Sequence, residues 1–280
     1  MANEKVALLG ANGMLGSAVA AKLTHKGIYF DSFDLPGFDI RDATQLQCVV
    51  DNSQIIINCA AYTDVEKAES QKDLAYRINA EAVGRLGAFA KQAGAFVFHI
   101  STDFVFDGTS ARPYVETDAT SPINAYGTSK LEGEKLLLES ACGNCIIRIE
   151  WTYGRNGNNF IRKLIGFAQK SNKVKVVDDQ TGSPTATTEV ADVICELLEK
   201  KPQGLFHFAN SGYVSRFEMA KFIFEKLNMP AELTSCKSSE FPSAAKRSLN
   251  SCFNCGKIAA LLNSPINPWQ KPLEKFLKQL

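Results

Sequence analysis

Val6-Ala-Leu-Leu-Gly10-Ala-Asn-Gly13-Met-Leu-Gly16 decides the fold of this chain. Four apolar residues run into a glycine triplet spaced G-x-x-G-x-x-G, and helical periodicity follows through Leu15, Val19 and Leu23 to a stop at Gly27. A short run with no polar break reads as a strand buried on both faces. Glycines at this spacing meet three needs of a strand-to-helix turn that holds a pyrophosphate. They allow the tight turn, the close approach of backbone to phosphate, and the close packing of helix on strand. The helix N-terminus adds unpaired N–H donors and a partial positive charge. A plain tight turn has the same spacing, so the strand before it and the helix after it give the motif its weight.

The alternation continues outward from this turn. Residues 28–33 and Ile55–Asn58 read as strands, 74–93 as a helix closed by Gly94, and 96–100 and 145–149 as further buried strands. Apolar strands separated by helices predict an α/β, doubly wound parallel sheet of the Rossmann type over residues 1–150. Beyond Trp151 the pattern loosens, with helical segments near 160–171, 189–200 and 217–227 between Pro and Gly clusters. Residues 151–280 are expected to form mainly a smaller substrate-binding lobe over the carboxyl ends of the sheet. The 189–200 helix is expected to pack back on the first domain.

Bulk properties narrow the partners. The 280 residues carry 31 basic and 30 acidic side chains, a net charge of +1, with 45% hydrophobic residues. A near-neutral chain lacks the positive field that drives nucleic-acid binding. No stretch approaches the roughly 18 apolar residues of a membrane span, and no secretory leader pattern opens the chain, so the expectation is cytoplasmic. The eight cysteines include the pairs Cys142/Cys145 and Cys252/Cys255. Their wide separation lacks zinc-ribbon spacing, which favours free thiols over a metal site. His25 and His207 have no companions of metal-ligand spacing, and His99, inside an apolar strand, reads as a core histidine. The phenylalanine-rich helix at 217–224 reads as core or subunit contact.

Two further constellations carry chemistry. Tyr126 and Lys130 are spaced i, i+4 at the start of a predicted helix, which puts phenol and ammonium on one face. A phenol with a pKa of about 10 exchanges protons poorly at neutral pH, and a nearby ammonium favours its ionisation. The strand at 96–100 delivers Ser101, Thr102 and Asp103 to the carboxyl edge of the sheet, where open α/β folds bind ligands. Asp34, at the end of the second strand, is placed to bind a ribose 2′-hydroxyl, which favours NADH over NADPH. Asp39 would lie near the adenine, and the small residues Cys59, Ala60 and Ala61 let a dinucleotide pass close to the backbone.

Together these residues resemble the extended short-chain dehydrogenases/reductases and, within them, the dTDP-4-dehydrorhamnose reductase family. The resemblance runs over nearly the whole chain. Its specific segments are Asn58-Cys-Ala-Ala-Tyr-Thr-Asp-Val65 with Glu66-Lys-Ala-Glu69, Ser101-Thr-Asp-Phe-Val-Phe-Asp-Gly108, Glu116-Thr-Asp118, Arg148-Ile-Glu-Trp-Thr-Tyr-Gly154, Asn158-Asn-Phe160 and Asp178-Asp-Gln-Thr-Gly-Ser-Pro-Thr185. The resemblance implies reduction of a dTDP-linked 4-keto-deoxysugar by NADH or NADPH, with Tyr126 as general acid, Lys130 lowering its pKa and Thr102 as the second hydroxyl. It implies cofactor contacts from Gly10, Asn12, Gly13, Met14, Leu15, Gly16, Asp34, Asp39, Ile40, Cys59, Ala60, Ala61, Tyr62, Asn79, Ser101, Tyr126 and Lys130. Substrate contacts are implied for Thr102, Asp103, Trp151, Asn159 and Arg247, the last as a diphosphate ligand.

Glu150 and Ser248 depart from the family pattern, which has a small residue and a proline there. The Glu150 carboxylate is open to two readings, a sugar contact or an exposed side chain. Ala18 takes the place of a family metal-binding glutamate, so no metal is expected. A different nucleotide-linked 4-keto-6-deoxysugar is the second enzymatic reading. A regulatory subunit resembling the β subunit of methionine adenosyltransferase is the non-enzymatic one. A homodimer is an expectation of the fold alone.

Overall fold

The computed structural model describes residues 4–241 and 243–280. Five strands come from the first half: β1 (Val6–Leu9), β2 (Phe30–Phe33), β3 (Ile55–Asn58), β4 (Phe96–Thr102) and β5 (Gly143–Ile149). All are parallel, in the order β5-β4-β3-β1-β2, and the strand Gly204–Phe208 adds to the β5 edge. That sixth strand has no counterpart in the sequence reading. Its Gly-Leu-Phe-His-Phe run is short and follows a proline, so its neighbours in space identify it better than its composition does.

The chain leaves β1 toward β2 on one side and later places β3 on the other. The loops after β1 and β3 therefore diverge, which opens a crevice at their carboxyl ends. Gly10 sits there at φ +75°, and a Cβ on Gly16 would come 2.0 Å from the Gly10 carbonyl oxygen. The turn thus closes only with glycine at both ends, and helix α1 (Met14–His25) starts against it.

Two apolar layers cover the sheet. One joins α1 to the helix Thr187–Leu197 through Val19, Leu23, Val190 and Ile194, with the Lys22–Asp192 ion pair at its rim. The other packs α2 (Ala43–Asp51) and the helix Ala82–Ala93 through Leu46, Val50, Val83 and Leu86. Asp42 starts α2 by accepting from the N–H groups of Thr44 and Gln45, and Gly94 ends its neighbour in the left-handed region at φ +68°. The helix expected over 74–93 is interrupted by a π segment, Arg77–Glu81. Asn79 inside it bonds the Tyr62 N–H and carbonyl and the Ser129 hydroxyl.

A third apolar cluster forms the roof, around Ile161, Leu164, Met219, Ile223, Trp269 and Leu273. Its strands are a five-residue parallel pair, Lys173–Val177 beside Glu232–Cys236, and two pairs of two residues, Thr152–Tyr153 beside Thr185–Ala186 and Thr181–Gly182 beside Val214–Ser215.

Candidate active site

A cleft of about 830 Å³ lies between the carboxyl edge of the sheet and the roof. Its floor is largely backbone and small side chains: Gly10, Asn12, Gly13, Met14, Leu15 and Gly16 from the first turn, Cys59, Ala60 and Ala61 after β3, and Ile40 beside them. The Asp34 carboxylate borders this floor and accepts from the N–H groups of Asn12 (2.7 Å) and Leu35 (2.8 Å), which fixes the turn against β2. Asp39 is paired with Arg41, whose side chain also lines the cleft. The Arg41 guanidinium holds the Asp39 carboxyl below its usual range. Arg41 escaped the sequence reading, although a cation beside the acidic pair is the feature that receives a 2′-phosphate.

β4 ends by presenting Ser101, Thr102 and Asp103 to the cleft. The Ser101 hydroxyl is buried and has no hydrogen-bond partner among the described residues. Thr102 donates to Asp103 (2.9 Å), and Ser251 donates to the other Asp103 oxygen. Burial pushes the Asp103 carboxyl up, against the pull of these two hydroxyls and of Arg216.

The helix Ala125–Glu139 brings Tyr126 to the same point. Asn124 caps it by accepting from Gly127 N–H (2.8 Å), and the buried Arg148–Glu134 fork (2.8 and 2.6 Å) ties it to β5. Tyr126 lies edge-on to Phe104, and its phenol is turned to Thr102. Burial and the Asp103 charge push its pKa up, while Thr102 pulls it down. The phenol is therefore fully protonated at neutral pH.

The Lys130 ammonium has two further partners at the sheet edge. It donates to the Ile100 carbonyl (2.7 Å) and lies 3.4 Å from His99 Nε2, and both Lys130 and Tyr126 line the cleft. Burial lowers the Lys130 pKa to about 8, opposed by Glu134 and Cys59. The helical spacing brings the two residues to one face, but the backbone carbonyl of β4 competes for the ammonium. His99 itself is buried, bonded to Asn58 and held well below its usual pKa by burial and then by Lys130.

The roof differs from the sequence reading in several places. Trp151 lines the cleft with φ +44°, an uncommon left-handed conformation for a bulky residue. Glu150 is neither exposed nor in the cleft. It is fully buried and accepts from Ser183 N–H (2.8 Å) and Phe253 N–H (3.2 Å), which corrects both readings of this residue. Asn159 does not line the cleft, because it caps the helix Phe160–Ala168 and donates to the Gly154 carbonyl. Tyr62 and Asn79 also lie outside the lining, joined to each other through the π segment. Arg247 borders the cleft but is already ion-paired with Glu66.

Arg216, which the sequence reading passed over, stands at the first position of the helix Arg216–Leu227, over the Trp151 ring at 3.4 Å. A cation there opposes the helix dipole, and that local conflict is the signal that could have drawn attention to it.

Among the described residues no group of three or more His, Cys, Asp or Glu is arranged to hold a metal ion. The eight cysteines are free thiols, and burial raises Cys145, Cys252 and Cys255 to about 12.

Residues 4–280 match the model of the RmlD substrate binding domain. The chain is 35% identical over 282 residues to the dTDP-4-dehydrorhamnose reductase of Mycobacterium tuberculosis, covering 98% of this chain and 93% of that protein. It is 38% identical over 221 residues to the dTDP-4-keto-6-deoxy-D-glucose reductase of Streptomyces niveus, covering 78% and 77%. The solved dTDP-4-dehydrorhamnose reductase of Bacillus anthracis, in complex with NADP, superposes with a TM-score of 0.94 at 36% identity, covering 99% of this chain and 100% of that one.

Proposed function

The chain belongs to the RmlD substrate binding domain family, and we propose that it reduces the 4-keto group of dTDP-4-dehydro-L-rhamnose to give dTDP-L-rhamnose. It is an oxidoreductase of the extended short-chain dehydrogenase/reductase type with NAD(P)H as cofactor. The carrying observation is that Tyr126 and Thr102 line, at the carboxyl edge of the sheet, the same cleft as the glycine turn.

The residues fit a dinucleotide. The first N–H groups of α1 have no helical acceptor, the floor is backbone and small side chains, and the Ser101 hydroxyl lacks a partner. Reduced nicotinamide supplies the hydride that C4 receives. Tyr126 releases its phenolic proton to the C4 oxygen, which turns the carbonyl into a hydroxyl. Thr102 turns its one hydroxyl proton from Asp103 to the second side of the same oxygen. Lys130 would hold the nicotinamide ribose and return a proton to Tyr126. Asp103 and Trp151 contact the sugar, and Arg247 reaches the diphosphate. In this reading residues 1–150 serve the cofactor and most of 151–280 the sugar nucleotide. Among the described residues no helix is long and apolar enough to cross a membrane, and the reading keeps the protein in the cytoplasm.

The test is loss of reduced-nicotinamide absorbance with dTDP-4-dehydro-L-rhamnose, run with NADH and NADPH in parallel. Turnover to dTDP-L-rhamnose is expected. Turnover only with another nucleotide-linked 4-keto-6-deoxysugar moves the assignment to that substrate. Dinucleotide binding without any turnover makes the chain a regulatory subunit. The cofactor ratio reads Asp34, which repels a 2′-phosphate, against Arg41, which attracts one.

A further inference from the structure

Two arginines border the cleft, and they are in different states. Arg247 is neutralised by Glu66 and rests on the Phe104 ring, 5.4 Å from its centroid. Arg216 has no carboxylate within ion-pair distance and no side-chain hydrogen bond among the described residues. Its guanidinium is instead packed on aromatic faces, 3.4 Å from the Trp151 ring centroid and 4.9 Å from that of Phe160. Stacking occupies the flat faces of a guanidinium and leaves its N–H edge free. Donors on a half-buried cation with no acceptor in the protein are left for water or a ligand to satisfy. Here they are kept in the wall of a cleft.

Asp103 and Glu150 attract Arg216 without bonding it, because Asp103 is engaged by Thr102 and Ser251, and Glu150 by two backbone N–H groups. Burial lowers the Arg216 pKa to about 9, opposed by Asp103 and Glu150, with a smaller push in the same direction from Arg247. Two guanidinium groups lining one cleft suit an anion with more than one charge. A planar fork is the donor geometry that grips phosphate in pairs of hydrogen bonds.

We propose that Arg216, stacked on Trp151 with its N–H edge open to the cleft, is the residue that grips the diphosphate of the sugar nucleotide. This assignment rests on the nucleotide-sugar reading above. It shifts the main anion contact from Arg247, which must first give up Glu66, to a residue already free to bind. It also couples the two halves of the substrate. The guanidinium that holds the diphosphate braces the indole that walls the sugar, so the bound anion sets the position of that wall.

The experiment compares binding of dTDP and of thymidine by calorimetry for the wild type, Arg216→Met and Arg216→Lys, with NADPH binding as the measure of correct folding. Arg216→Met is expected to weaken dTDP about 30-fold, a loss in keeping with a charge-assisted contact, with thymidine and NADPH within about twofold. Arg216→Lys should recover part of the dTDP affinity, since it keeps the charge and loses the fork. Equal dTDP binding by wild type and Arg216→Met overturns the assignment of Arg216 and leaves the nucleotide-sugar reading intact. Equal weakening of dTDP and thymidine also overturns it, since that is the result of a displaced Trp151. A wild type that binds NADPH but neither dTDP nor UDP overturns both readings together.

Discussion

The floor and the roof of the cleft are built on different principles. The floor is backbone: a glycine turn, a helix N-terminus and small residues after β3, fixed in place by Asp34 bonding two main-chain N–H groups. The roof is side chain. Trp151, Phe160 and the helix that carries Arg216 and Met219 converge from three segments, with buried bonds such as those of Glu150 holding the loops between them. A backbone site tolerates almost no change of shape at its glycines. A side-chain site tolerates more and can be retuned for another sugar, in line with the similarity of this chain both to a dTDP-4-dehydrorhamnose reductase and to a dTDP-4-keto-6-deoxy-D-glucose reductase.

The sharpest way to break this contrast is Gly16→Ala. Its Cβ would sit 2.0 Å from the Gly10 carbonyl oxygen, so the turn must open. Dinucleotide affinity should fall at least ~100-fold by calorimetry, because a displacement of about 1 Å suffices for that. Unchanged binding would mean that the floor does not work through its backbone.

Glu150→Ala probes the roof with a smaller effect. It strands the N–H groups of Ser183 and Phe253 in the interior, which should lower unfolding stability by about 2–4 kcal/mol in chemical denaturation. Glu150→Gln, which keeps an acceptor, should lose less than half of that, and both variants should still bind NADPH. Equal losses in the two variants would show that the carboxylate charge, rather than its acceptor geometry, holds the roof.

His207 lies at the seam between the two regions. It sits on the sixth strand, stacked on Phe253, with Nδ1 3.1 Å from the Tyr114 carbonyl and Nε2 3.3 Å from Arg148. Nδ1–H donates to the carbonyl, so Nε2 accepts from the guanidinium and the ring is neutral. Burial, and then the Arg148 charge, lower its pKa to about 3 from 6.5. Between these values the unfolded chain binds more protons, so this contribution is present above 6.5 and is lost as the pH falls toward 3. The loss should reach about 2 kcal/mol by about pH 5, and His207→Gln should flatten that part of the stability profile. A profile that stays equally steep would place the acid sensitivity elsewhere, His99 being the next candidate.

The same contrast explains what could be read from the sequence. Gly10, Gly13 and Gly16 announce the floor, because their local spacing encodes the turn itself. β1, β3, β4 and β5 were legible as apolar runs, and Gly94 as a helix stop. The π segment at Arg77–Glu81, the strand Gly204–Phe208 and the burial of Glu150 were not legible, since each is set by a partner far along the chain. Tyr126 and Lys130 fall between these cases. Their helix and its facing residues follow from spacing, but the turn of Lys130 toward the Ile100 carbonyl depends on β4. Asn159 looked like a ligand residue and is a helix cap, a role its position before Phe160 also permits.

The most direct measurement is the turnover rate of Tyr126→Phe with dTDP-4-dehydro-L-rhamnose and NADPH, beside its affinity for both ligands. The account predicts a rate lower by ~10²–10⁴-fold with affinities close to wild type, because the substitution removes only the proton that the C4 oxygen must receive. A phenylalanine variant that turns over at the wild-type rate would contradict it, and would place the acid elsewhere in the cleft.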